Sequence, residues 1–176
     1  MRPNRRGFDE FFGHLTGGHR YLPEELTLKD ETEVKAHNQA YRTKILRNTT
    51  RVEIDDYLTD EFSDEAVKFI ENNSDNPFFL YLPYNAPHGP IQAPDEYVDR
   101  FPKIKNPLRK IYAGMISSMD DGVGKIIDKL KEFSFVIRKV LSKKVLVKFL
   151  PKLFFVNDDS FDYAEKIENL IRQTQK

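Results

Sequence analysis

The sequence predicts an α/β fold, and a buried-strand pattern lying between two helical ones is what predicts it. Phe78, Phe79, Leu80, Tyr81 and Leu82 form a continuous apolar and aromatic run bounded by Pro77 and Pro83, which reads as a short strand covered on both faces. Before it, Phe62, Ala66, Phe69 and Ile70 recur at helical spacing across Thr59 to Asn73. After it, Leu108, Ile111, Tyr112, Met115, Met119, Val123, Ile126, Ile127 and Leu130 do the same as far as Glu132. An amphipathic helix leading into a buried strand is the repeating unit of α/β architecture.

Residues 1–23 are punctuated by Gly7, Gly13, Gly17 and Gly18 among Phe8, Phe11, Phe12 and Tyr21, a composition suited to turns packed by aromatics. Residues 24–57 are polar, with short apolar clusters around Ile45 and Val52 that predict one or two short edge strands. The helix over 59–73 opens on Asp60, Glu61, Asp64 and Glu65, where the helix dipole favours negative charge, and ends in the Asn72 to Asn76 cluster. A single helical turn is predicted from Asp95 to Phe101. Asn106-Pro107 then supplies an N-cap followed by proline at the first helical position of the long helix. Gly114, Gly122 and Gly124 each cost that helix about 1 kcal/mol relative to alanine, which points to close contact with a neighbouring backbone. Adjacent helical residues point about 100° apart, so Asp120-Asp121 does not read as a metal pair.

Composition narrows the function. The chain has 176 residues, balanced formal charge and no cysteine, so disulfides, thiolate metal sites and cysteine nucleophiles are excluded. Charge is uneven nonetheless. Residues 134–156 carry Arg138, Lys139, Lys143, Lys144, Lys148 and Lys152 and no carboxylate, a basic apolar block whose spacing fits either a helix or a strand. The character changes there, giving two expected parts, residues 1–133 and residues 134–176, the second closing on a short amphipathic helix from Asp162. The basic stretch 137–152 either binds an anionic surface weakly or is the solvated face of an added helix. No general nucleic-acid footprint is expected. The start of the chain lacks the apolar core of a secretory leader, no window is apolar enough to span a membrane, and compartment is left open.

The proline-rich loop after the strand carries the main candidate for chemistry. Pro83, Pro87, Pro90 and Pro94 stiffen it, and it presents His88 beyond the carboxyl end of the strand, where α/β sheets gather ligands. His88 is either a site residue or a donor to a backbone carbonyl within a tight turn. His19, in the Gly17-Gly18 turn, either borders a substrate cleft or secures that turn. His14 and His37 read as ordinary loop residues.

Three stretches, in order, resemble the sulfatases, the sulfuric ester hydrolases of the alkaline-phosphatase-like superfamily. They are Arg6-Gly-Phe-Asp-Glu-Phe-Phe-Gly13 with Gly17-Gly-His-Arg-Tyr21; Tyr57-Leu-Thr-Asp60 with the segment from Pro77 through His88 to Pro94; and Tyr112-Ala-Gly-Met-Ile-Ser-Ser-Met-Asp-Asp-Gly-Val-Gly124. The resemblance covers residues 2–133. It implies an α/β domain built on a mixed sheet flanked by helices, of which this chain holds an incomplete part. It also implies hydrolysis of sulfate esters of small molecules or sugars by a formylglycine nucleophile made from the cysteine of a Cys-x-Pro-x-Arg motif. A calcium ion held by Asp-Asp and Asp-Asn pairs serves the intact family, whose members are usually lysosomal, secreted or periplasmic. Among site residues it carries over His88, as a sulfate contact that donates a proton to the departing alcohol oxygen, and His19 as a lesser substrate contact.

The departures matter equally. The formylglycine precursor is missing, no Ser-x-Pro-x-Arg replaces it, and the metal-binding pairs are not in the matched stretches. Phe154-Phe-Val-Asn-Asp-Asp-Ser160 has only the outline of the late metal motif, with Asp158 and Asp159 as its acids. The expectation is an internal piece of a sulfatase catalytic domain, from a truncated or misjoined reading frame, inactive alone and binding no metal. The alternative is a non-catalytic binding module that uses the basic segment.

Overall fold

The computed structural model describes residues 2–26 and 41–134, together with residues 138, 139 and 142; most of the basic block, Asp158, Asp159 and the expected terminal helix lie outside the described residues. Strands β1 (Phe12–Gly13), β2 (Ile45–Arg47) and β3 (Thr50–Val52) form one antiparallel sheet in the order β1-β2-β3. Short edge strands are expected around Ile45 and Val52; the two strands form a hairpin, with Ile45 opposite Val52 and Arg47 opposite Thr50, in which β3 is an edge strand and β2 the central one. Asn48 turns the hairpin at a φ of 56°, a conformation asparagine tolerates better than most residues. Its side chain accepts the Phe11 N–H at 2.9 Å, tying the turn to the strand beside it.

Helix α1 (Leu58–Asn72), the turn α2 (Asp95–Val98) and helix α3 (Pro107–Glu132) follow. α1 buries Leu58, Phe62, Ala66 and Ile70 along one stripe, each large aliphatic side chain contributing about 2 kcal/mol of burial. It ends where the Asn73 side-chain amide donates to the Phe69 carbonyl at 2.9 Å, satisfying one of the orphan acceptors of a helix end. α3 begins at the expected cap: the Asn106 side chain accepts the Arg109 N–H at 3.0 Å and Pro107 sits first in the helix.

The buried face of α3 differs from the expected one. Gly114, Met115, Ser118 and Gly122 are buried, while Leu108, Tyr112, Ile116 and Val123 are exposed. The reason is closeness. A Cβ on Gly122 would fall 2.1 Å from Ser63 Oγ, and one on Gly114 would fall 3.1 Å from the Val98 nitrogen, so only small residues allow α3 to lie against α1 and α2. Gly124 has nothing within 4 Å of its missing Cβ, so the expected close contact holds for two of the three glycines.

Around this seam lie two further interactions. Ser63 Oγ and Tyr84 OH are 2.8 Å apart. The buried Asp60 carboxylate accepts hydrogen bonds from Tyr97 OH at 3.0 Å and Ser118 Oγ at 2.8 Å, and burial still pushes its pKa upward. Residues 78–82, expected as a strand covered on both faces, form no strand and pair with none among the described residues, and Phe79 and Tyr81 are exposed.

Candidate functional site

His88 sits on an exposed loop that two distant segments hold in place. Its backbone N–H bonds to the Asn85 carbonyl at 2.9 Å, and its own carbonyl accepts Tyr21 OH at 2.8 Å. The flanking Ala86–Pro87 and Gly89–Pro90 bonds are cis. Asn85 donates through its side-chain amide to the His19 carbonyl at 3.0 Å. Gln92 completes the attachment: its side chain accepts the Tyr21 N–H at 3.3 Å and donates to Glu25 at 2.7 Å, and its carbonyl accepts Tyr57 OH at 2.8 Å. Burial works against the Glu25 carboxylate, but hydrogen bonds from Gln92 and Arg20 outweigh it and hold its pKa below the usual range. Buried Tyr21 and Tyr57 stack at 5.7 Å beneath the loop. Burial raises the pKa of the Tyr57 phenol to about 12 and that of Tyr21 further still, so both remain hydrogen-bond donors at ordinary pH.

The ring itself is oriented. His88 Nδ1 lies 2.6 Å from the Gly89 carbonyl, an acceptor that requires Nδ1 to carry a proton and so leaves Nε2 as the chemically available nitrogen. In the neutral ring Nε2 is an acceptor; protonated, it is a donor to an anionic oxygen. Gly18 packs against the ring: a Cβ there would lie 3.0 Å from His88 Cε1 and 3.1 Å from the Tyr41 ring. The structure shows the backbone bond of the second reading of His88, made by Nδ1.

His19 is fully buried, with Nδ1 2.8 Å from the Arg20 carbonyl and Nε2 2.6 Å from the Thr43 carbonyl. Its ring ties the glycine turn to the segment that enters β2. His14 stacks on it at 4.8 Å; burial first, then repulsion from His19, lower the His14 pKa to about 4 despite a bond to Thr16. Sequence reasoning missed Tyr21, Tyr57, Asn85 and Gln92 as positioning residues. The Gly17-Gly18 pair was the available signal, because a glycine doublet beside an aromatic marks a close approach, though not what approaches.

Two cavities, of about 280 and 320 Å³, lie elsewhere, one lined by Glu10, Arg47, Glu65 and Lys68 and the other by Lys103, Lys105, Asn106 and Arg109. A calcium site does not fit the described residues: no group of three or more His, Asp or Glu among them could hold a metal ion. Asp121 is bonded to Arg100 at 2.6 Å and Asp60 to two hydroxyls, so neither is available as part of an oxygen cage.

The family model for sulfatases matches residues 2–134. The chain belongs to the sulfatase family. The sulfatase YdeN of Escherichia coli K12 is 33% identical over 135 residues, covering 74% of this chain and 21% of YdeN. Among solved structures, Ps i-CgsB in complex with k-i-k-neocarrahexaose superposes at a TM-score of 0.69 with 44% identity, over 75% of this chain and 30% of that one. This sulfatase-family chain thus spans less than a third of the length of these relatives, and its α/β fold is a partial one of their type.

A second relationship accompanies the first. Ribosome-binding factor A of Pelagibacter ubique is 69% identical over 51 residues, 29% of this chain and 42% of that protein. The Clostridium botulinum protein of that name is 32% identical over 120 residues, 67% of this chain and 91% of its own length, so the chain is also related to this family. Among the described residues no helix is long and apolar enough to cross a membrane.

Proposed function

We propose that residues 1–133 are part of a sulfatase catalytic domain whose His88 contacts the sulfate ester, and that this chain alone does not turn substrate over. The engagement of Nδ1 by the Gly89 carbonyl supports the first half, since it leaves Nε2 for a ligand on an exposed loop braced by Tyr21. A protonated Nε2 can donate to a sulfate oxygen or to the departing alcohol oxygen, a role that requires only correct placement and a proton. The second half rests on the absence of cysteine from the sequence. Formylglycine would supply the nucleophile in an intact family member and calcium would polarise the sulfate; with no cysteine precursor and no suitable oxygen cage among the described residues, no step is assigned to either here.

The substrate class we infer is a sulfated sugar, because the 44% identical Ps i-CgsB was crystallised with a neocarrahexaose. Titrating the protein with neocarrahexaose and with its desulfated counterpart, followed by NMR of the His88 ring, tests this. Binding of the sulfated form alone, lost in His88→Ala, is expected, without sulfate release in the presence of calcium. Equal binding of both sugars, or an unaffected variant, refutes the role of His88. Calcium-dependent sulfate release abolished by His88→Ala refutes inactivity.

A second reading concerns the remainder of the chain. We propose that residues 134–176 form a separate part that carries much of the likeness to ribosome-binding factor A and engages the ribosome through its basic stretch. The sulfatase match ends at residue 134, the 51-residue likeness is short enough to lie largely beyond it, and the six cations of residues 134–156 suit a phosphate backbone. This replaces the anionic surface and the expected lack of a nucleic-acid partner with one polyanion. Co-sedimentation with purified ribosomal subunits checks it: binding should weaken steeply with salt and with neutralisation of Lys143, Lys144 and Lys148. Pelleting indifferent to both removes the reading.

A further inference from the structure

A neutral imidazole has one N–H to give, and His19 faces two acceptors. Its ring is fully buried, with Nδ1 2.8 Å from the Arg20 carbonyl and Nε2 2.6 Å from the Thr43 carbonyl. A carbonyl oxygen can only accept, so both bonds form only when both nitrogens carry protons, which makes the ring an imidazolium. Removing either proton sets a nitrogen lone pair against an oxygen lone pair. Turning the ring half-way about its bond to Cβ does not help, because carbons then stand where the nitrogens stood and both acceptors are abandoned. Burial alone favours the uncharged ring. Against it stand two bonds as short as charge-assisted ones, which run to about 2.7–2.9 Å and are about twice as strong as neutral ones.

The neighbouring ring leaves the charge to His19. His14 stacks on it at 4.8 Å with Nδ1 3.1 Å from the Thr16 carbonyl, so a single proton satisfies His14, and its lowered pKa keeps it neutral at ordinary pH. Among the described charged groups of the segments around the ring, Arg20 pairs with Glu25, Arg42 donates to the Glu25 carbonyl, Lys44 pairs with Glu53 and His88 turns Nδ1 to Gly89. What His19 holds is the seat of His88. Its carbonyl accepts the Asn85 side-chain amide at 3.0 Å, the Asn85 carbonyl accepts the His88 N–H at 2.9 Å, and Gly18 packs against the His88 ring. We infer that His19 is a positioning residue held as an imidazolium in the folded protein, its two protons clasping the glycine turn to the Thr43 segment and so keeping the His88 loop seated. Loss of one proton opens the clasp. The stability it lends is therefore present at low pH and lost as pH rises, opposite in sign to the contribution of His14. The inference stands on ring geometry and is independent of any sulfate contact by His88.

NMR of the full chain with isotope-labelled histidine rings tests this, with the urea-unfolded chain as reference. At about pH 7.5 an unperturbed histidine is mostly neutral. His19 is expected to carry a proton on each ring nitrogen in the folded chain and on only one in the unfolded chain. Exchange of the His88 backbone amide, corrected for base catalysis, should stay slow for as long as His19 keeps both protons and quicken about tenfold once it loses one. His19→Gln offers one nitrogen where the ring offers two. It should show the quick exchange at every pH while circular dichroism shows the helices unchanged. If this variant does not fold, the pH series on the native chain decides alone. A single ring proton on His19 at that pH overturns the inference. So does His88 exchange that quickens while His19 keeps both protons, stays slow after one is lost, or is unaltered in folded His19→Gln.

Discussion

Replacing Gly122 and Gly124 by alanine, one at a time, should move stability in opposite directions, although the two glycines lie two residues apart on α3. Alanine recovers about 1 kcal/mol of helix propensity at either position. At Gly124 nothing stands within 4 Å of the new methyl group, so Gly124→Ala should stabilise by about that amount. At Gly122 the methyl group would lie 2.1 Å from Ser63 Oγ, 2.9 Å from Ser63 Cβ and 2.9 Å from Tyr84 OH. Relief requires α1 and α3 to part or Ser63 to rotate away from Tyr84. Overpacking of this kind costs about 1–3 kcal/mol, and loss of the Ser63–Tyr84 bond adds about 1. After the propensity gain, Gly122→Ala should destabilise by about 1–3 kcal/mol, placing the variants about 2–4 kcal/mol apart. Urea unfolding followed by helical circular dichroism measures both midpoints. Ser63→Gly in the Gly122→Ala background removes the obstructing atoms and should restore part of the loss. If Gly122→Ala is as stable as Gly124→Ala, the close packing of α3 on α1 is wrong.

Gly18→Ala should push the His88 ring off its seat, since the methyl group would approach Cε1 to 3.0 Å; the His88 ring signals should shift and any affinity for sulfated sugar fall, with overall stability changed by about 1 kcal/mol or less. Asn106→Ala should cost about 1 kcal/mol by removing the acceptor for the Arg109 N–H, read as a lower urea midpoint with an unchanged slope. His14 gives a pH effect of definite sign. Its pKa falls from 6.5 to about 4 on folding, so between those values the unfolded chain binds a proton that the folded chain does not, and stability declines as pH drops through that window. The shift sets a ceiling of about 3 kcal/mol; the ring is only part-buried, and solvent brings the figure nearer 1–2. His14→Gln should flatten this part of the curve, as measured by thermal unfolding at pH 7 and pH 4.5.

The helices were legible because their information is local. The periodicity of Phe62, Ala66 and Ile70 and the Asn106-Pro107 start are complete within a few turns of chain, and both helices lie where the pattern puts them, to within a residue. The two short strands around Ile45 and Val52 were legible for a similar reason, although not that they pair as a hairpin or that β2 is central. The face of α3 was misjudged because apolar spacing assumes that large residues seek the core, whereas here the close approach of α1 at Gly122 and of α2 at Gly114 puts small residues on the buried face beside Met115. Residues 78–82 carry a strand pattern but form no ladder among the described residues, since pairing depends on partners that a single run cannot name. At the site, the loop that presents His88 was legible from its prolines. The tyrosines, Asn85 and Gln92 that hold it were not, because they act across 35 to 71 residues and leave no local trace.

That separation has a kinetic consequence. Tyr21 reaches His88 across 67 residues, and Gln92 reaches Glu25 across the same span, while the helices close through short-range contacts. Long loops are closed only after local structure has formed, so the imidazole should acquire its surroundings in the final stage of assembly. A ligand gripping that nitrogen would then act as a latch on the finished molecule, slowing unfolding while scarcely altering the rate at which the helices appear.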